Sequence, residues 1–355
     1  MNGADDWPSV SVIMPVLAEE RHLADAVARV LAQGYPGALE IVLAVGPSRD
    51  RTEEIARELV AAHPPVRWVR NPSGRTPDAL NVALRAARHD IVVRVDGHAE
   101  LCDGYIRTAV GELTARGAVN VGGIMDAHGT TTFERAVACA MRSRIGVGAA
   151  RFHTGGRAGP ADTVYLGVFR RRTLIAAGGY DPHFTRAQDW ELNHRLRLAG
   201  GIVWFTPQLR VTYRPRSTLT ALARQYLQYG RWRRVVASRH AGTINPRYLA
   251  PPAMVVGATA ATVAGLLEPR ARGLLGVPAA YLVAVVVGGW AASRGEQPRT
   301  RALLPVVLAT MHWSWGLGFL TSPKRLRQIP ERAVPRTGEV ADTNTDTDTD
   351  TERTG

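Results

Sequence analysis

The stretch Asp90-Ile-Val-Val-Arg-Val-Asp-Gly-His98 limits the possible folds more than any other. It is a short β-branched run with no polar alternation, the pattern of a parallel strand covered on both faces. It breaks off at Asp96, Gly97 and His98. Such strands belong to layered α/β proteins, whose ligands bind beyond the carboxyl ends of the strands. Gly97 permits a tight turn there, and Asp96 and His98, two residues apart, can share a face. A carboxylate and an imidazole so placed can hold a divalent cation, and the cation a diphosphate. The same residues serve equally as a helix-capping Asp and a surface His, so the neighbouring segments decide.

Those segments alternate. Val10 to Val16 reads as a strand, and Leu23, Ala26, Val27, Val30 and Leu31 recur at helical spacing until Gly34 and Pro36 stop them. Glu40 to Val45 is a second strand, followed by the Gly46–Thr52 loop and a helix with Glu53 and Glu54 in its first turn. Val66 to Val69 is a third strand, and Thr76-Pro77-Asp78 opens a helix leading to Asp90. A β-α-β-α-β-α-β order implies a doubly wound, mostly parallel sheet. No Gly-x-Gly-x-x-Gly follows the first strand and no Walker-type loop is present, so a metal at Asp96 is the natural candidate for holding phosphates. Residues 122–159, rich in Gly, Ala and Arg, read as irregular with one helix near 133–144. Asp162 to Phe169 alternates like a strand, Gly178 to Pro182 is a turn, and Gln188 opens a helix. Asp189 and Glu191 fall in its first turn, where acids commonly cap.

The remainder differs in character. Lys and Arg exceed Asp and Glu by 44 to 31, although residues 331–355 hold seven acids against three arginines. A body this basic points to nucleic acid, anionic lipid or a phosphorylated ligand. Leu209 to Arg247 carries nine arginines, no acid and interleaved aromatics, a composition shared by single-strand binders and juxtamembrane belts. Position favours the belt, because apolar blocks at 249–267, 274–292 and 302–320 follow, each near the ~20 residues that cross a bilayer. Three crossings would leave Lys324, Arg325 and Arg327 outside, against the positive-inside tendency; two would leave them inside. The chain thus divides into a catalytic unit (1–239), a membrane region (240–330) with two or three helices, and a disordered Asp/Thr tail (331–355). Cys102 and Cys139 have no metal-type spacing and read as buried thiols. No apolar leader precedes Val10, so the first unit is expected in the cytoplasm.

In order, Val12-Ile-Met-Pro-Val16 with Glu19-Glu20, Asn71-Pro72 with Ala79-Leu-Asn81, Arg94-Val-Asp-Gly-His98, Asp162-Thr-Val-Tyr-Leu-Gly167, Gly178-Gly-Tyr-Asp181 and Gln188-Asp-Trp-Glu191 resemble family 2 glycosyltransferases of the GT-A fold. The likeness covers roughly Ser9 to Trp232 and is strongest to a membrane-anchored branch. It implies a doubly wound mixed α/β sheet of the nucleotide-diphospho-sugar transferase type, followed by C-terminal transmembrane helices. It also implies an inverting enzyme that moves a sugar from a nucleotide-sugar donor, a UDP-sugar by preference, to a lipid-linked or polysaccharide acceptor. The protein would then sit in the cell membrane, in contact with its lipids, with no nucleic-acid partner.

By the resemblance, Asp96 and His98 hold Mn²⁺ or Mg²⁺, His98 replacing the family's usual second Asp. Pro15, Val16, Glu19, Val45, Asp50, Arg75, Asn81 and Asp96 line the donor site, and Asp189 is the base. Gln228-Tyr-Gly-Arg-Trp232 matches the Gln-x-x-Arg-Trp pattern of processive members, which makes Arg231 a second positive group and Trp232 an aromatic face for the acceptor. Val45 stands where the family usually has an Asp for the nucleotide base, so the resemblance speaks less firmly for uridine. A non-catalytic scaffold on the same fold would be expected to lose Asp96 or Asp189, and both are present.

Overall fold

The computed structural model describes residues 7–328. Its first half alternates as the hydrophobic pattern requires: β1 (Val10–Val16), α1 (Leu23–Leu31), β2 (Leu39–Val45), α2 (Thr52–Ala62), β3 (Val66–Arg70), α3 (Thr76–Ala86) and β4 (Ile91–Arg94). Then come β5 (Glu100–Leu101), α4 (Tyr105–Ala115), β6 (Asn120–Ala127), α5 (Thr132–Arg142) and the single turns α6 (Arg144–Val147) and α7 (Arg151–Thr154). β7 (Gly159–Pro160), β8 (Tyr165–Arg170), α8 (Arg171–Ala176), α9 (Gln188–Leu198) and β9 (Val203–Tyr213) complete the sheet. Strand order is β3-β2-β1-β4-β8-β6-β9-β5, with β7 on β9. The first four strands are parallel, whereas β8 runs antiparallel to both β4 and β6, so the sheet is mixed.

Both faces are covered. Leu23, Val27 and Val30 of α1 and Ile106 and Leu113 of α4 bury one face of the sheet. Leu80 and Leu84 of α3 and Leu192 and Leu196 of α9 bury the other. Each fully buried aliphatic side chain contributes about 1.5–3 kcal/mol relative to exposure. This two-sided cover explains the unbroken apolar run of β4, all four of whose residues are buried. The strand ends at Arg94, earlier than its β-branched run implied, although the Val95 amide still donates to the Ile13 carbonyl at 3.1 Å.

Beside the two-residue β5 and β7, two long strands were not expected. β6 crosses the stretch read as irregular, because Gly122 and Gly123 look like breakers in a sequence. A Cβ on Gly123 would overlap the carbonyl of Leu209 on β9, beside a shift in register; the glycine is there for close approach, not for a turn. β9 takes in the start of the basic stretch: Leu209 and Val211 are buried while Gln208 and Arg210 face out. The period-two alternation was hidden by the arginine count.

α10 (Leu219–Arg239) follows, then α11 (Pro246–Leu267), a 3₁₀ segment (Pro269–Leu275), α12 (Gly276–Ala292), α13 (Pro298–Leu320) and α14 (Lys324–Arg327). Three helical segments, Pro246–Leu267, Pro269–Ala292 and Pro298–Leu320, are long and apolar enough to cross a membrane. Packing does not pause at residue 239. One cluster joins Ala136–Met141 of α5, Leu222 and Tyr226 of α10, and Leu304, Val307, Leu308 and Met311 of α13. The Asp/Thr tail lies outside the described residues.

Candidate active site

The carboxyl ends of β1, β2 and β4 lie side by side, because these strands are neighbours in register: Val16 faces Val45, and Ile13 faces Arg94. The loops leaving β1 and β2 are tied together. The amides of Ala18 and Glu19 donate to Ser48 Oγ (3.0 Å) and Thr52 Oγ1 (2.8 Å), and the Arg51 amide donates to Glu20 (3.2 Å). Asp50 faces its own helix: it accepts from the Thr52 hydroxyl at 2.5 Å, which lowers its pKa, and from the Glu20 amide at 3.4 Å. Pro15 is half-buried, and Val16 and Val45 are buried, so these residues shape the rim through backbone and packing.

The centre of the site is a residue to which no role was assigned from sequence. Arg94, 3% exposed, ends β4 and donates from Nε to Asp96 at 3.1 Å and from Nη1 to Asp189. Its guanidinium also lies over the Tyr180 ring, 5.8 Å from the centroid. A charge inside an otherwise β-branched strand was the available signal, since a buried guanidinium needs carboxylate partners. Burial opposes the charge on Arg94, but Asp189 and Asp96 outweigh it and hold the group firmly protonated. Burial lifts the Asp189 pKa to about 6; Arg94 opposes that rise, and the Asp96 charge adds to it. A carboxylate tuned near 6 suits a general base working close to neutrality.

Neither acid of α9 caps the helix. The cap position is Ala187, whose φ of 59° lies in the left-handed region, with no side-chain cap bond. Asp189 turns to Arg94 instead. Glu191 is buried against Arg195 at 2.7 and 2.8 Å, and Arg195 in turn donates to the carbonyls of Ala177 and Gly179. Left-handed φ in a non-glycine residue costs ~1–3 kcal/mol and collects at functional sites. Among the described residues the three cases are Ala18, Leu166 and Ala187, beside Glu19, Gly167 and the Asp189 helix.

His98 turns its Nδ1 to Glu19 Oε1 at 2.7 Å, and that bond raises its pKa. Nε2 remains for a cation, at the cost of a proton. Among the described residues no three of His, Cys, Asp or Glu gather into a metal centre. Asp96 and His98 therefore offer at most two protein ligands, a set that fits a cation completed by water and phosphate oxygens.

Arg75 and Asn81 line a separate part of the rim, a cleft of about 420 Å³ shared with Asn71, Asp78 and Pro182. Arg75 is paired with Asp78 at 2.8 Å. The Asn81 amide is spent on the backbone of Tyr180, donating to its carbonyl (2.7 Å) and accepting from its amide (2.8 Å). Asn81 thereby holds the Gly178–Asp181 turn on α3, and with it the Tyr180 ring under Arg94.

Trp232 does not present a free face. It is 6% exposed, and its ring packs on Phe184 at 5.9 Å, fastening α10 to the segment that leads into Asp189. The Arg231 carbonyl accepts from Ser322, and no hydrogen bond among the described residues joins Arg231 to Asp96 or Asp189. Arg233 is the more connected cation: it stacks on Trp190 (4.2 Å) and on Tyr248 (3.7 Å), linking the neighbour of Asp189 to the root of α11. Several arginines of the basic stretch thus hold helices together.

Comparison with known proteins fits this geometry. The succinoglycan biosynthesis protein ExoA of Rhizobium meliloti (strain 1021) is 31% identical over 329 residues, 89% of this chain and 96% of that protein. A Methanococcus voltae dolichyl N-acetyl-alpha-D-glucosaminyl phosphate 3-beta-D-2,3-diacetamido-2,3-dideoxy-beta-D-glucuronosyltransferase is 22% identical, over 62% of this chain and 71% of its own length. Among solved structures, the mannosyltransferase PcManGT from Pyrobaculum calidifontis, in complex with GDP-Man and Mn²⁺, shares the fold with a TM-score of 0.59 at 21% identity, covering 87% of each chain. The model of the glycosyltransferase like family 2 matches residues 8–233, from the start of β1 into α10 and across both carboxylates on Arg94; the chain belongs to that family.

Proposed function

We propose that the protein transfers a sugar, with inversion, from a nucleoside-diphosphate donor to a lipid-linked or polysaccharide acceptor at the cytoplasmic face of a membrane. The observation that carries the reading is Arg94 holding Asp96 and Asp189 on one guanidinium. It sets a donor-side carboxylate and a base-side carboxylate around one space at the strand ends. Asp189 takes the proton of the acceptor hydroxyl as its oxygen attacks the anomeric carbon. The nucleoside diphosphate leaves toward Asp96, near the tied β1 and β2 loops. A bound Mn²⁺ or Mg²⁺, held by Asp96 and His98, would supply Lewis-acid stabilisation of the leaving diphosphate. A relative named for succinoglycan biosynthesis and another named for transfer to a dolichyl phosphate-linked sugar support such an acceptor. The stack Trp190–Arg233–Tyr248 supports delivery from the membrane side, since it runs from the base to the root of an apolar helix.

The test separates the two acids. Asp189→Asn should bind nucleoside diphosphate with Mn²⁺ as the parent does, while transfer falls ~10²–10⁴-fold. Asp96→Asn should lose both. Donor binding by calorimetry is read beside transfer of labelled sugar in the membrane fraction. Parental transfer by Asp189→Asn would place the base elsewhere.

A further inference from the structure

By length and composition alone, three helical segments qualify as membrane spans. Their attachments divide them into two kinds. α13 runs alongside α10 in the same direction. Its Leu308 and Met311 share a cluster with Leu222 and Tyr226; Trp315 meets Gly230; and Ser322 donates to the Arg231 carbonyl at 3.0 Å. A Cβ on Gly230 would overlap the Trp315 carbonyl, and one on Gly318 would overlap that of Leu227, so the two backbones touch. The near end of α13 is tied as well: Cys139 of α5 lies 3.5 Å from Glu296, just before the helix. In its middle, His312 Nε2 lies 2.8 Å from the Ile145 carbonyl. The start, middle and end of α13 are therefore all fixed to the sheet-bearing unit, beside a helix that carries Arg224, Arg231, Arg233, Arg234 and Arg239.

α11 and α12 behave differently. The root of α11 is at Tyr248 under Arg233, with Pro251 and Val255 against Gly316 of α13. α12 packs by one stripe only, Tyr281, Val285, Gly289 and Ala292, on α13 and the cluster around α5. Between them the chain turns at Glu268–Arg272. α11 has 22 residues, about 33 Å of helix against a ~30 Å hydrocarbon core. Val256, Leu266, Leu282 and Val287 of the hairpin are 54–72% exposed, whereas Leu304, Val307 and Leu308 of α13 are fully buried and its exposed aliphatics, Val306, Leu317 and Leu320, reach only 41–50%.

We infer that the chain crosses the membrane twice, through the α11–α12 hairpin, and that α13 lies along the membrane surface as part of the catalytic unit. The partner of the hairpin is the hydrocarbon core of the bilayer. α13 cannot stand across the bilayer beside α10 without carrying the arginines of α10 into it. Two crossings also keep Arg247, Arg294, Arg299, Arg301, Lys324 and Arg325 on the side of the active site, as the positive-inside tendency favours. The chain beyond residue 328 then starts on that side. The inference rests on the membrane reading given above, and its test distinguishes the two.

The full chain carries Cys102→Ser and Cys139→Ser, and a single cysteine at Thr114→Cys (exposed on α4), at Arg270→Cys (the hairpin turn) or appended after Gly355. Membrane-impermeant maleimide is applied to intact cells and after permeabilisation. Thr114→Cys and the appended cysteine should react only after permeabilisation, and Arg270→Cys before it. A fluorescent-protein fusion after Gly355 of the unaltered chain should fold and fluoresce, which checks the tail without the cysteine changes. An appended cysteine reached from the side opposite Thr114, or Arg270→Cys reached only from the same side, overturns the topology. Release of the protein by carbonate without detergent would instead overturn the membrane reading itself.

Discussion

Replacing Arg94 by leucine tests whether the paired carboxylates are the centre of this molecule. The guanidinium is 3% exposed, and the Asp96 and Asp189 side chains are 20% and 24% exposed. Removing one partner of a buried ion pair typically costs ~3–5 kcal/mol, since a charge is left without its counter-ion. Two partly wetted carboxylates place the cost at the lower end, about 3 kcal/mol. For a chain of this length that corresponds to about 4 °C in Tm, at ~2.1 cal/mol/K of unfolding entropy per residue. The sign of the pH dependence follows from Asp189. Folding raises its pKa from the ordinary 3.8 to about 6, so its contribution to stability is complete below about pH 4 and is lost as pH rises through 6. Without Arg94 the carboxylate loses the one group that lowers its pKa, and the penalty for ionising it grows. The deficit of Arg94→Leu should therefore be large at pH 8 and smaller at pH 5. Thermal unfolding of the detergent-solubilised full chain at both pH values measures it. Adding Asp189→Leu should recover part of the loss, with a coupling of ~1–3 kcal/mol. Equal deficits at both pH values, or strict additivity of the two changes, would refute the central role given to Arg94.

Two further outcomes follow from the same geometry. With Asp189 as base, kcat/KM should rise with pH through about 6 and level off above it, and Asp189→Asn should lack that limb; a flat parental profile between pH 5 and 8 would remove Asp189 from the role. Gly230→Val places a side chain against the Trp315 backbone, where overpacking costs ~1–3 kcal/mol, so the solubilised protein should unfold at lower temperature; an unchanged Tm would mean that α10 and α13 are not in backbone contact.

Periodicity alone was enough to lay out the first four strands and three helices, because burial on two faces leaves an unbroken β-branched run and burial on one leaves a helical stripe. That Asp96 and His98 follow the carboxyl end of β4 was legible too, although the strand stops at Arg94, sooner than its β-branched run implied. The apolar helices were visible for a similar reason: their composition is their signal. Tertiary structure decided everything that depends on a partner far along the chain. Asp189 meets Arg94 across 95 positions, so it could be read as a helix cap until the sheet brought the two together. Trp232 belonged to a recognisable pattern, yet Phe184 covers it; the pattern names a residue and not the face it shows. β6 was unreadable because Gly123 answers to the backbone of β9 and Gly122 to Val164 and the Tyr165 carbonyl at the start of β8. α13 has the composition of a span, and only its contacts with α5 and α10 show that much of its apolar surface is already buried in protein. Local patterns record how much of a segment is hidden from water, whereas what hides it is settled by the order of strands and the crossing of helices.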